Sequence, residues 1–147
     1  YWKDRAGTRG LRNVHFLGFI PHSRLPQAMS AIDIFLMPHQ RKVALSDRRR
    51  DIAGFTSPMK MFEYMASGKP IIASDLPVLQ EVLQHKVNSL IVAHERIEEW
   101  QSAIESLLND PQLARDIGQR ARKEVERKYT WDIRAERILR SFREAAQ

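Results

Sequence analysis

Apolar residues cluster in four short runs along this chain: Val14–Gly18, Ile32–Met37, Pro70–Ser74 and Ser89–Val92. Each is bounded by Pro, Gly or polar residues, which reads as four buried strands. HSRLPQAMSA (22–31) predicts a short helix after the first run. SPMKMFEYMAS (57–67) sets Met59, Phe62, Met65 and Ala66 on one helical face, directed towards a core. LPVLQEVLQH (76–85) predicts another helix, with Ser74 or Asp75 as its cap. Strands alternating with helices imply a parallel sheet covered on both faces.

Beyond residue 94 the pattern is wholly helical. Ile97, Trp100, Ala103, Ile104, Leu107 and Leu108 make a stripe of 3.6-residue period. DPQLARDIGQRARKEVERKYT follows, with Asp110 as cap and Pro111 at the first helical position. A last helix runs from about Trp131, capped by Thr130, with Ile133, Ile138, Leu139 and Phe142 apolar. Trp100, Tyr129 and Trp131 are expected to pack in the core or between helices. The opening YWKDRAG is helix-like but lacks a clear cap. The 147 residues suffice for one domain with a single core. A start at Tyr1 rather than Met reads as a fragment of a longer protein.

Composition narrows the classes. With 43% hydrophobic and 29% charged residues, the chain is of the globular type. It has no cysteine, which removes disulfides and thiolate metal sites and suits a reducing cytoplasm. No apolar run reaches the roughly 18–20 residues of a membrane span, and no signal-peptide pattern opens the chain. No His/Asp/Glu cluster has metal-ligand spacing, so no metal is expected. The net charge of +6 favours anionic partners: nucleic acid, an acidic membrane surface or phosphorylated small molecules. A nucleic-acid binder would interleave Lys and Arg with exposed aromatics. Here the aromatics follow buried periodicity, which argues against that class.

The most informative segment is SPMKMFEYMASGKPIIASDLP (57–77). Lys60 stands in the first turn of the predicted helix, where the macrodipole favours acidic side chains. An anion such as a phosphate at the helix mouth, where free N–H groups point, would accommodate it. Glu63 lies one turn on, about 9 Å along the axis from Ser57, and its side chain leans back towards the N-terminus. A phosphate and hydroxyls together describe a nucleotide sugar. On residues alone, the alternatives stay open. Glu63 and Lys60 also suit an i, i+3 ion pair, Thr56 and Ser57 suit capping, and Lys60 suits a solvated position. Ahead of the helix lies HQRKVALSDRRRDIAGFT (39–56), a long stretch without period carrying Arg41, Lys42, Arg48, Arg49 and Arg50. It reads equally as a cationic flap or as a solvated loop.

Taken in order, NVHFLGFIPHSRLPQAMSAIDIFLMP, SPMKMFEYMASGKPIIASDLPVLQEVL, NSLIV, LLNDPQLARDIGQRAR and YTWDIRAERIL resemble the C-terminal domain of retaining GT-B glycosyltransferases of family 4. The resemblance covers nearly all of residues 12–142. It implies a Rossmann-like three-layer α/β/α fold with a parallel sheet, here without its first strands and ending in a helical tail. It also implies a donor-binding role over residues 1–147, with the acceptor held by a separate N-terminal domain outside this chain. Glu63 matches the family's second motif glutamate, implied to hold the donor ribose. Lys60, Ser57, Thr56 and Met59, at the start of the same helix, join it as candidate donor-binding residues. Gly18, Phe19 and Ile20 fall where a strand end passes the base, and His39 follows the next strand on the same edge.

Two departures stand out. Phe55 occupies the position of a further glutamate that contacts the donor sugar, and the strands bringing an Arg and a Lys to the diphosphate are absent. The resemblance therefore implies the donor-binding half of a retaining transferase. It would use a nucleoside diphosphate sugar and a glycan or lipid-linked acceptor, need no resident cofactor, have no catalytic residue in this chain, and be inactive alone. Alternatives are another GT-B enzyme, such as a nucleotide-sugar epimerase, or a basic binding module. The arginines between 115 and 143 are expected mainly on outer helix faces. They offer a cytoplasmic protein a peripheral contact with an acidic inner membrane face.

Overall fold

The computed structural model describes residues 1–40 and 59–145. Two compact units make up the chain, Tyr1–Ala31 and Ile32–Gln147. The first holds helix α1 (Trp2–Thr8), a 3-10 turn (His22–Arg24) and helix α2 (Leu25–Ser30). Between α1 and the turn the chain has no regular structure, so the strand expected at Val14–Gly18 does not form. Its apolar side chains Val14, Phe16 and Leu17 are exposed. A strand needs a hydrogen-bonded neighbour, and this unit supplies none.

The second unit is built on a parallel three-stranded sheet of order β1-β2-β3, with β1 at Phe35–Met37, β2 at Ile71–Ser74 and β3 at Leu90–Val92. Phe35 is aligned with Ile71, and Ile72 with Leu90. Helix α3 (Met59–Ser67) joins β1 to β2, and α4 (Pro77–Gln80) joins β2 to β3. Both crossovers advance in the same direction across the sheet, so the right-handed rule sets α3 and α4 on one face. Strand alternation sends Phe35 to that face, where its ring stacks on Tyr64 of α3 at 4.2 Å and 18°. The opposite face carries Ile72, Leu90 and Val92. They pack against Ala103 and Leu107 of α5 (Ile97–Asn109) and Ile117 of α6 (Pro111–Lys128). Each fully buried aliphatic side chain in that layer contributes about 1.5–3 kcal/mol.

Local signals explain the ends. Gly68, at φ +72, terminates α3 in the left-handed conformation that glycine adopts without strain. Asp110 caps α6 by accepting from the amides of Gln112 and Leu113 at 3.1 and 2.9 Å. Thr130 Oγ1 accepts from Ile133 N at 3.4 Å and caps α7 (Trp131–Ala145). The helix expected over 76–85 stops early. The buried Asn88 side chain takes the Gln84 amide at 2.7 Å and donates to the Val82 carbonyl at 3.0 Å, replacing helical bonds there. Neither expected cap serves α4: Leu76 is at its N-cap without a side-chain bond. Ser74 Oγ instead donates to the Met37 carbonyl.

Three packing expectations are corrected. Met61, not Met59, lies in the core beside Met65; Met59 is 66% exposed, and Ala66 is exposed too. Trp131 is 74% exposed and meets Arg134, whose guanidinium carbon is 5.8 Å from its ring centroid. Ile97 and Leu108 lie outside the packed part of the α5 stripe. The expected inter-helix role holds for Tyr129, whose ring meets Phe62 at 5.2 Å. Trp100 packs against the Ile72 cluster. In α7, Ile138, Leu139 and Phe142 remain exposed beside Trp131.

The free side of β3 is closed by side chains. Val92 O accepts from Asp75 N, so Val92 faces β2 while the flanking Ile91 and Ala93 amides face away. His85 Nδ1 accepts from Ile91 N at 3.0 Å, and Glu99 Oε2 accepts from Ala93 N at 2.9 Å.

Candidate functional site

In a parallel α/β sheet, ligands bind beyond the carboxyl ends of the strands. Three chain segments meet that edge here: Pro38–His39 after β1, Asp75 after β2 and Ala93–His94 after β3. The first turn of α3 lies at the same edge, because α3 carries the chain from the end of β1 back to the start of β2. Met59, Lys60 and Glu63 therefore start α3 on the ligand side.

Glu63 is half-buried, and among the described residues its carboxylate makes no ion pair or hydrogen bond; the expected alternative of a pair with Lys60 does not form. Lys60 and Met59 are exposed. Next to Glu63, Tyr64 is fixed against Phe35. Burial, and secondarily the Glu63 carboxylate, push its phenol above the ordinary value of 10.0. His39 is half-buried, its amide donates to the Met37 carbonyl at 2.9 Å, and its buried Nδ1 has no hydrogen-bond partner.

Thr56 and Ser57 lie outside the described residues, as do Phe55 and the proposed cationic flap. Gly18, Phe19 and Ile20 belong to the N-terminal unit. There, Gly18 adopts φ +70, while Phe19 and Ile20 line an open cleft of about 340 Å³ with Leu17 and Arg24.

One pair at this edge has no local signal in the sequence. Asp75 Oδ1 accepts from both the backbone N and the ring Nδ1 of His94, at 3.1 and 2.9 Å. It ties the turn after β2 to the turn after β3. Nineteen residues separate the partners, so no local pattern announces them. Among the described residues no three His, Asp or Glu side chains stand close enough to hold a metal ion. Likewise, no described helix is long and apolar enough to cross a membrane.

Residues 1–124 match the family described as Glycosyl transferases group 1. The chain belongs to that family. One relative of this glycosyl transferase chain is the D-inositol 3-phosphate glycosyltransferase of Rhodococcus erythropolis, 29% identical over 120 residues. That match covers 77% of this chain and 27% of the relative. Among solved structures, Anabaena Alr3699/HepE in complex with UDP superposes with a TM-score of 0.79 at 21% identity, covering 97% of this chain and 36% of that one. The C-terminal domain of a glycosyl transferase group 1 protein, LpcC, from Francisella tularensis gives 0.69 at 21%, covering 88% of this chain and 60% of that one. At those identities the likeness concerns the fold, which is the GT-B C-terminal domain with its helical tail. The match spans about a quarter of the length of the Rhodococcus protein and about a third of the Anabaena chain.

Proposed function

We propose that this chain is the donor-binding half of a retaining glycosyltransferase. It would hold a nucleoside diphosphate sugar while an acceptor, a glycan or a lipid-linked sugar, is presented by the rest of the protein. The observation that carries this reading is the half-buried Glu63 carboxylate, one turn into a helix at the ligand edge and unpaired among the described residues. A carboxylate so placed suits a pair of ribose hydroxyls as hydrogen-bond donors. Lys60, exposed in the first turn, suits the diphosphate, with Met59 beside it and Ser57 and Thr56 preceding the same helix. Anabaena HepE, whose fold this chain shares, is solved with UDP, which is consistent with the assignment.

In this reading the chain's own contribution to catalysis is positioning of the donor and stabilisation of the negative charge that develops on the departing diphosphate. No nucleophile is assigned to this half. Hydrogen bonds to a charged group contribute about 1.5–3 kcal/mol each, so Glu63→Ala, which removes both ribose bonds, should weaken nucleoside diphosphate binding by roughly 100-fold or more. Titration calorimetry with UDP and GDP, alongside an unchanged circular-dichroism spectrum, measures this. Equal affinity for wild type and variant would sink the site assignment.

A further inference from the structure

We infer that Nδ1 of His39 is a ligand contact, reserved for a hydrogen-bonding oxygen of the same nucleotide sugar; the inference rests on the donor-binding reading. Among the described residues, this is the one buried side-chain nitrogen or oxygen without a hydrogen-bond partner. A polar atom left so in a folded protein costs about 1–3 kcal/mol, and such atoms are rare enough that each calls for a reason.

Its location supplies one. His39 follows the last residue of β1 by two positions, and its amide turns back onto the Met37 carbonyl at 2.9 Å. That carbonyl also accepts from Ser74 Oγ at 3.3 Å, which engages the nearest hydroxyl on β2. Beyond β2, Asp75 Oδ1 is engaged with His94. The protein thus leaves an imidazole nitrogen at the carboxyl end of an edge strand, where α/β sheets receive ligands, with the named polar neighbours already bonded. Nδ1 either donates or accepts according to the tautomer, so it suits a phosphoryl oxygen or a sugar hydroxyl. Those are two sources of one chemistry, and they separate experimentally.

The test compares UDP and GDP with UDP-glucose and GDP-mannose by calorimetry on the wild-type chain and on His39→Ala, His39→Asn and His39→Gln. Asn places a polar atom near the position of Nδ1, whereas Gln places one near Nε2. Loss of one hydrogen bond should weaken binding roughly 5-fold to 10-fold in the Ala and Gln variants, with Asn within about 3-fold of wild type. Loss for diphosphates and sugar nucleotides alike identifies a phosphoryl contact, and loss confined to sugar nucleotides identifies a hydroxyl. Either supports the inference. Unchanged affinity in the Ala variant overturns it and assigns the atom to a buried water. A Gln variant that binds as well as Asn overturns the Nδ1 assignment. A wild-type chain that binds none of the four probes overturns the donor-binding reading itself and this inference with it. Should a variant fail to fold, imidazole 15N spectra of the wild type give a second readout. The His39 Nδ1 resonance should move on addition of the probe that binds, and a fixed resonance refutes the contact.

Discussion

Gly118→Ala tests the close approach of α6 to the turn that follows α3. A Cβ built on Gly118 would lie 2.1 Å from the Gly68 carbonyl oxygen, 2.8 Å from its carbon and 3.0 Å from the Lys69 carbonyl carbon. All three are backbone atoms at the turn from α3 into β2, so no side chain can swing aside. Even a close carbon–oxygen contact needs about 3.3 Å, which requires α6 to retreat by roughly 1.2 Å. Its neighbours Ile117 and Ala121 are fully buried, so the retreat opens gaps while relieving the clash. Overpacking of this kind costs about 1–3 kcal/mol, and a backbone clash belongs at the upper end. Alanine's better helix propensity returns about 1 kcal/mol. The expected net loss is about 2 kcal/mol, a fall in Tm of roughly 4–8 °C for a chain of this size. Gly7→Ala in α1, where a Cβ meets nothing within 4 Å, is the matched control and should not lower Tm. Thermal unfolding followed at 222 nm reads both. If Gly118→Ala left Tm unchanged or raised it, the α3–α6 contact would not be the constraint described.

Two further outcomes follow from bonds at helix ends. Asp110→Ala removes the acceptor of two α6 amides and should cost about 1 kcal/mol in urea unfolding, with Asp110→Asn retaining most of the stability. The Glu99 carboxyl is held below its ordinary value of 4.5, first by the Ala93 amide and then by Arg96. A group depressed in the folded state stabilises above its unfolded value and loses that contribution as pH falls through the folded one. The advantage of wild type over Glu99→Gln should therefore be full at pH 7 and shrink below about 4.5. A difference in urea midpoint that stays constant from pH 7 to 3 would contradict this.

The sequence was most legible where a residue's local chemistry decides its structure. Asp110 and Pro111 start α6, Gly68 ends α3, and the runs at 32–37, 70–74 and 89–92 each contain a strand. Where packing decides, the pattern was ambiguous. Residues 59–66 carry Met59, Met61, Phe62, Tyr64, Met65 and Ala66, so nearly every helical face is apolar and the period cannot set the rotation. With Tyr64 stacked on Phe35, a contact between distant segments, the helix turns Met61 inside. Val14–Gly18 has a strand's composition, but composition cannot provide a pairing partner. Asn88 is a polar residue that looks like a loop position. Its tertiary bonds, including one to Glu124 at 2.6 Å, end the run after α4. Of the candidate site, the place of Lys60 and Glu63 in the first turns of α3 was readable from the helix pattern. The Asp75–His94 pair was not, because it exists only once β2 and β3 lie side by side.

The two side chains along β3 give the sheet a direction in which it cannot grow. A stray strand approaching that border finds the Ile91 and Ala93 amides already engaged, by His85 and Glu99. Concentrated chains are thereby denied one route to cross-sheet aggregation. The seal also dictates where a proton resides. To accept from Ile91, His85 must keep Nδ1 bare and carry its hydrogen on Nε2, so the tautomer of a surface imidazole becomes a sensor of whether the border is closed.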